Sequence, residues 1–256
     1  MNNITQAVWV EMLKARRSRM PLLTALGFSL VPLAGGFFMI VLKDPELARR
    51  VGLISVKARI IAGVADWPTY LGLLAQAAIG GIILFSLIGS WVFGREYSDR
   101  TVKDLLALPT SRSAIVLSKF VVFASWSAAL TAMIYLIGLG VGTAVALPQT
   151  SVQVILQGGV TLAITAILTI AVVTPIIFFA SAGHGYLPPM GVALLALLLA
   201  QVVAAAGWGE YFPWSIPALY SQGGNLGMVS YVIVILTCVA GIAGTFIWWE
   251  LADQTF

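Results

Sequence analysis

The sequence predicts an all-α integral membrane protein with six transmembrane helices, an amphipathic interfacial helix ahead of the first, and a short cytoplasmic helix between the second and third. Three observations carry that expectation. Only 9% of the 256 residues are charged and 60% are hydrophobic, where a soluble domain carries roughly a quarter charged residues. The mean hydropathy is +0.99. The apolar runs approach or exceed the roughly 20 residues a helix needs to cross about 30 Å of hydrocarbon, and the alternation of a barrel strand is absent. Residues 1–256 therefore read as one transmembrane domain.

Taken in order, residues 4–19 form the interfacial helix. Ile4, Val8, Trp9, Met12 and Leu13 share one helical face, with Gln6, Glu11, Lys14 and Arg17 opposite and Val10 the exception, the pattern of a helix lying in headgroups or against a partner. The spans follow at about 20–42, 68–94, 114–147, 153–181, 186–206 and 228–250. The first starts after four basic residues, lacks a small-residue cleavage site and is expected to be retained. The third is longer than a bilayer requires and must tilt or project. Between the fifth and sixth, Pro213 and Pro217 bar a regular helix while Trp208, Tyr211, Phe212, Trp214 and Tyr220 suit an interface, so short interfacial or re-entrant pieces are expected there.

All 14 Lys and Arg precede residue 120. Nine fall in the N-terminal segment and the loop between spans two and three, five in the first loop, so the positive-inside rule places both termini in the cytoplasm. The basic 43–67 loop has no role legible in the sequence.

The stretch GREYSDRTVKDLLALPTSRSAIVLSKF, residues 94–120, holds eight of the chain's 24 charged residues. Opposite charges pair at a spacing of four from Arg95 to Asp99, Glu96 to Arg100, Asp99 to Lys103 and Arg100 to Asp104, which supports a helix over 95–108. Val102, Leu105 and Leu106 give it an apolar face; Pro109 ends it, and Ser111 or Ser113 caps the next span. A solvated loop and a headgroup-bound helix both fit the periodicity. The even balance of charge over 95–104 suits a protein partner better than anionic lipid.

The six apolar cores contain no Asp, Glu, Lys, Arg or His, which argues against a proton- or sodium-driven carrier. There is no HExxH, no G-x-S-x-G, one His (His184) and no G-x-x-x-x-G-K-[ST], so no catalytic residue, metal site or ATP-binding loop is expected. Cys238 is alone and reads as a small apolar side chain. The neutral polar residues Gln76, Thr131, Tyr135, Thr161, Thr165 and Thr169 serve either interhelical hydrogen bonding or the lining of a pathway for an uncharged or amphipathic substrate.

The 94–120 stretch resembles the segment between spans two and three of ABC-2 type permeases, the membrane subunits of many bacterial ABC exporters. The match rests on Glu96, Arg100 with Thr101, Leu105 with Leu106, Pro109 with Ser111 and Arg112, and Ser118 with Lys119. The N-terminal helix, six spans and a length near 250 are similar too. The resemblance implies that Glu96, Tyr97, Asp99, Arg100, Thr101, Val102, Lys103, Asp104, Leu105 and Leu106 form a coupling helix docking on a separate ABC ATPase subunit. It implies two ATPase copies and a second permease copy, a homodimer, in lipid of the bacterial cytoplasmic (inner) membrane, with no nucleic acid partner. This chain would hold no cofactor, ATP and Mg lying on the ATPase. Likeness to bacitracin and lantibiotic self-protection systems implies export of an amphipathic or peptide-like compound and antibiotic resistance. The alternative is an ATPase-independent membrane carrier or scaffold.

Overall fold

The computed structural model describes residues 3–44, 64–107 and 109–251. Every regular element among them is helical: α1 (Asn3–Arg17), α2 (Met20–Lys43), α3 (Trp67–Gln76), α4 (Ala78–Ser98), α5 (Val102–Leu106), α6 (Arg112–Ala144), α7 (Val152–Ala182), α8 (Leu187–Ala205), a 3-10 turn (Gly209–Tyr211), α9 (Ile216–Ser221) and α10 (Met228–Leu251). Five of them, α2, α6, α7, α8 and α10, are long and apolar enough to cross a membrane. A sixth crossing results if α3 and α4, bent 44° to each other, count as one broken span. The expected second span is thus interrupted at Ala77. Most of the 43–67 loop lies outside the described residues.

Local chemistry sets the helix ends. Ser111, Asp66 and Ser151 each accept a hydrogen bond from the backbone N–H three residues on, at 3.3, 2.9 and 3.4 Å, and so cap α6, α3 and α7. Pro21 sits in the first turn of α2, where its missing N–H costs nothing. Between α8 and α10 the prolines leave only the 3-10 turn and α9, as the sequence predicts.

α7 organises the bundle. It packs against α3, α4, α6, α8, α9 and α10, and its apolar window is 56% buried where the other long helices reach 22–33%. The outer faces of those helices, with Leu30, Leu136 and Leu198 among them, stay exposed and apolar, as lipid contact requires. Tertiary contacts mark two ends. At one, Arg112 of α6 donates to the carbonyls of Trp249 and Glu250, both at 3.1 Å, capping the C-terminus of α10. At the other, the Lys43 ammonium closing α2 donates to Val145 O at 2.7 Å and Ala146 O at 2.5 Å beyond α6. Helices join the two ends alternately, the layout of a multi-pass membrane protein.

Candidate functional site

α4 does not run on into the charged stretch as the ladder of pairs predicts. It stops at Ser98. Arg100 takes a left-handed conformation (φ 57°), the Arg100 N–H donates to Tyr97 O at 3.2 Å, and the Thr101 N–H donates to Glu96 O at 2.9 Å. This is a Schellman closure with arginine at the position glycine usually fills. Only Arg95–Asp99, 3.2 Å apart, forms as an i,i+4 pair; the turn removes Arg100, Lys103 and Asp104 from that register. The helix expected over 95–108 is reduced to α5, while Leu108 lies outside the described residues.

The turn also decides which side chains are presented. Val102 is buried, and Leu105 and Leu106 pack against the main core, so the apolar face of α5 seats this element on its own protein. Tyr97 is held among rings, 5.0 Å from His184 and 6.1 Å from Trp249. Asp99, Arg100, Thr101, Lys103 and Asp104 remain exposed, two of each charge on one small knuckle.

Beneath the knuckle lies a charge cluster that the sequence did not disclose. Glu96, expected on the docking surface, is only 4% exposed. Its carboxylate accepts from Lys119 Nζ at 2.8 Å and from Lys14 Nζ at 3.1 Å. Glu11 accepts from the same ammonium groups, Lys119 at 3.3 Å and Lys14 at 2.5 Å. Lys119, fully buried, also donates to Val92 O at 2.8 Å. Two carboxylates and two ammoniums thus form a neutral ring tying α1 to α4 and α6. Burial opposes the charge on Lys14, but Glu11 and Glu96 more than offset it and hold its pKa above the usual lysine value.

This ring packs the Glu11 side of α1 against the bundle. Glu11 and Ala15 face α6 and are buried, whereas Ile4, Trp9 and Val10 are exposed. Their apolar surface is free for lipid. The signal that marks the ring is a lone lysine, Lys119, in the second turn of an otherwise apolar helix.

The neutral polar residues divide. Thr165 and Thr169 are buried, and each donates to its own helix four residues back, to Thr161 O and Thr165 O, at 2.7 Å. Their place is packing rather than a cavity wall. Tyr135 ties α6 to α7 through a 2.9 Å bond to Ile155 O, and Thr131 donates to Ser127 O at 2.9 Å. Both border an apolar groove of about 440 Å³ between those helices. Gln76 and Thr161 line a separate cleft of about 780 Å³ at the opposite end from the knuckle. Thr165→Val and Thr169→Val are each expected to cost only about 0.6 kcal/mol, the typical worth of a hydrogen bond inside a membrane protein, read as a small shift of the unfolding midpoint in detergent. Among the described residues, no group of three His, Cys, Asp or Glu is placed to hold a metal ion.

Two comparisons with known proteins bear on the chain as a whole. The family model described as ABC-2 family transporter protein matches residues 7–201, from α1 into α8. The bacitracin transport permease protein BCRB of Bacillus licheniformis is 26% identical over 211 residues, which cover 81% of this chain and 99% of that protein.

Proposed function

This chain belongs to the ABC-2 family of transporter proteins, and on that premise we propose that it is the permease subunit of an ATP-driven exporter, coupled through its charged knuckle to a separate ATPase. One observation carries the docking role. Asp99, Arg100, Lys103 and Asp104 stand exposed on an element whose apolar side chains are already used inside the chain. A knuckle so seated moves with the α4–α6 hairpin, and the Glu11–Lys14–Glu96–Lys119 ring passes that movement to α1. The charges set register and orientation on the partner, which is where interfacial charge contributes most.

In this reading two copies of the chain, a homodimer, work with two ATPase copies in the bacterial inner membrane, both termini in the cytoplasm. ATP and magnesium sit on the ATPase, whose closure tilts the paired hairpins as rigid bodies and changes access to the pathway. The relative named for bacitracin transport supports an amphipathic or peptide-like compound as cargo.

The test is copurification with the ATPase. Glu96→Ala is a poor probe because it opens the buried ring. Arg100→Gly removes the side chain and suits the left-handed backbone better than arginine does, and Lys103→Ala lies on the exposed surface. The double variant is expected to lose about tenfold or more in ATPase association with an unfolding midpoint no lower than that of the wild type. Full association by that variant overturns the docking role.

A further inference from the structure

The end of the bundle opposite the knuckle holds the cleft bordered by Gln76 and Thr161, and its chemistry is specific. At about 780 Å³ it falls within the range of small-molecule sites. Its polar lining comes from Thr69 and Gln76 of α3, Thr161 of α7, and Tyr220, Ser221 and Gln222 of α9 and its end, beside apolar surface such as Phe38 of α2. Among the described residues, no Asp, Glu, Lys, Arg or His lines it. Among the described residues at this end, Lys43 is engaged with the carbonyls beyond α6, and the Asp66 carboxylate accepts from the Thr69 N–H.

Gln222 also borders a second cleft, of about 330 Å³, on the other side of α9, together with Gln201 and Trp214. The Trp214 Nε1 is shielded from solvent and has no hydrogen-bond partner among the described residues. A buried indole N–H without an acceptor is uncommon in a finished interior. Glutamine side chains thus flank the α9 region on both sides, Gln76 in the larger cleft and Gln201 in the smaller.

We propose that the larger cleft binds the exporter's cargo by an uncharged hydrogen-bonding head, a hydroxyl- or amide-rich group on an apolar body, and discriminates against charged heads. This deepens the transport reading and rests on it. The Gln76 and Gln222 amides each offer donors and acceptors, which matches hydroxyls and amides without a counter-ion. The Thr161 hydroxyl spends its proton on Gln157 O at 3.0 Å and keeps lone pairs for a donor on the ligand. A full charge entering this wall loses hydration and meets no opposite charge among the described lining residues.

The experiment uses the purified full chain in phosphatidylcholine nanodiscs. The probes are a dodecyl maltoside, a dodecyl sulfate and a dodecyl trimethylammonium, each with the same photoreactive diazirine on its alkyl chain. The maltoside probe is expected to label residues 68–76 and 216–224 saturably, at least about tenfold more than either charged probe. Gln76→Leu and Gln222→Leu are each expected to weaken half-saturation by about fivefold, the worth of one lost hydrogen bond. Both side chains are exposed; their Asn variants should retain part of the binding and confirm that the amide is read. Labelling that is independent of the head, unsaturable, or unchanged in the Leu variants overturns the proposal. ATPase copurification, run on the same variants, fails only if the permease reading itself is at fault, so the two failures are separable.

Discussion

Lys119→Met is expected to destabilise the protein by about 3–5 kcal/mol, the usual penalty for breaking a buried ion pair by removing one partner. Lys119 is wholly buried, and its ammonium serves Glu96, Glu11 and the Val92 carbonyl together. Methionine fills a similar volume, so the loss is electrostatic rather than a cavity. Removing the cation leaves Glu11 and Glu96 facing Lys14 alone, one negative charge in excess in a poorly solvated place. Adding Glu96→Leu restores neutrality, because Glu11 and Lys14 still pair at 2.5 Å. The double variant should therefore recover most of the lost stability, as buried pairs replaced by apolar groups often do. The measurement is the unfolding midpoint of the detergent-solubilised chain in an SDS titration for the wild type, both single variants and the double. A Lys119→Met protein within about 1 kcal/mol of wild type would mean that the four charges do not form a closed ring.

That ring also shows where the sequence stops being legible. Hydropathy over windows of 20 residues reports spans directly, so α2, α6, α7, α8 and α10 fall within a few residues of their expected bounds. Short-range rules also hold where the chemistry is local. Of the two expected candidates Ser111 and Ser113, Ser111 caps α6, and Pro213 and Pro217 fall in a region that forms only a 3-10 turn and α9. Charge pairing is different. Spacing of four nominates helical neighbours, but the left-handed turn at Arg100 leaves one of the four nominated pairs standing, Arg95 with Asp99. Glu96 instead reaches Lys119, 23 residues away, and Glu11 reaches it across 108. No local period encodes such partners. The same limit applies to Thr161, Thr165 and Thr169: spacing puts them on one face, whereas neighbouring helices decide that Thr161 meets a cleft and the other two meet packed side chains.

Gly241→Ala should be destabilising by about 1–3 kcal/mol even though helix propensity taken alone favours it. An exposed helical glycine replaced by alanine gains about 1 kcal/mol in propensity. At position 241 α10 crosses α7 where Pro175 interrupts the backbone ladder. The missing Pro175 N–H leaves the Ala171 carbonyl without its helical donor; the Thr174 hydroxyl lies 2.8 Å from that oxygen and 3.1 Å from Cys238 O of α10. The two backbones are close enough that a Cβ on Gly241 would lie 2.5 Å from the Thr174 carbonyl carbon and 2.7 Å from its Oγ1, and nearer still to Pro175 N. Backbone cannot rotate aside as a side chain tip can, so the helices must separate, and overpacking costs of this size exceed the propensity gain. Gly244 is the control one turn along. Its added Cβ would meet only Phe178, at 3.8 Å, so Gly244→Ala should be neutral or slightly stabilising. Comparing the two unfolding midpoints tests packing against propensity on one helix, and equal shifts for both variants would rule out the close α7–α10 crossing at Pro175.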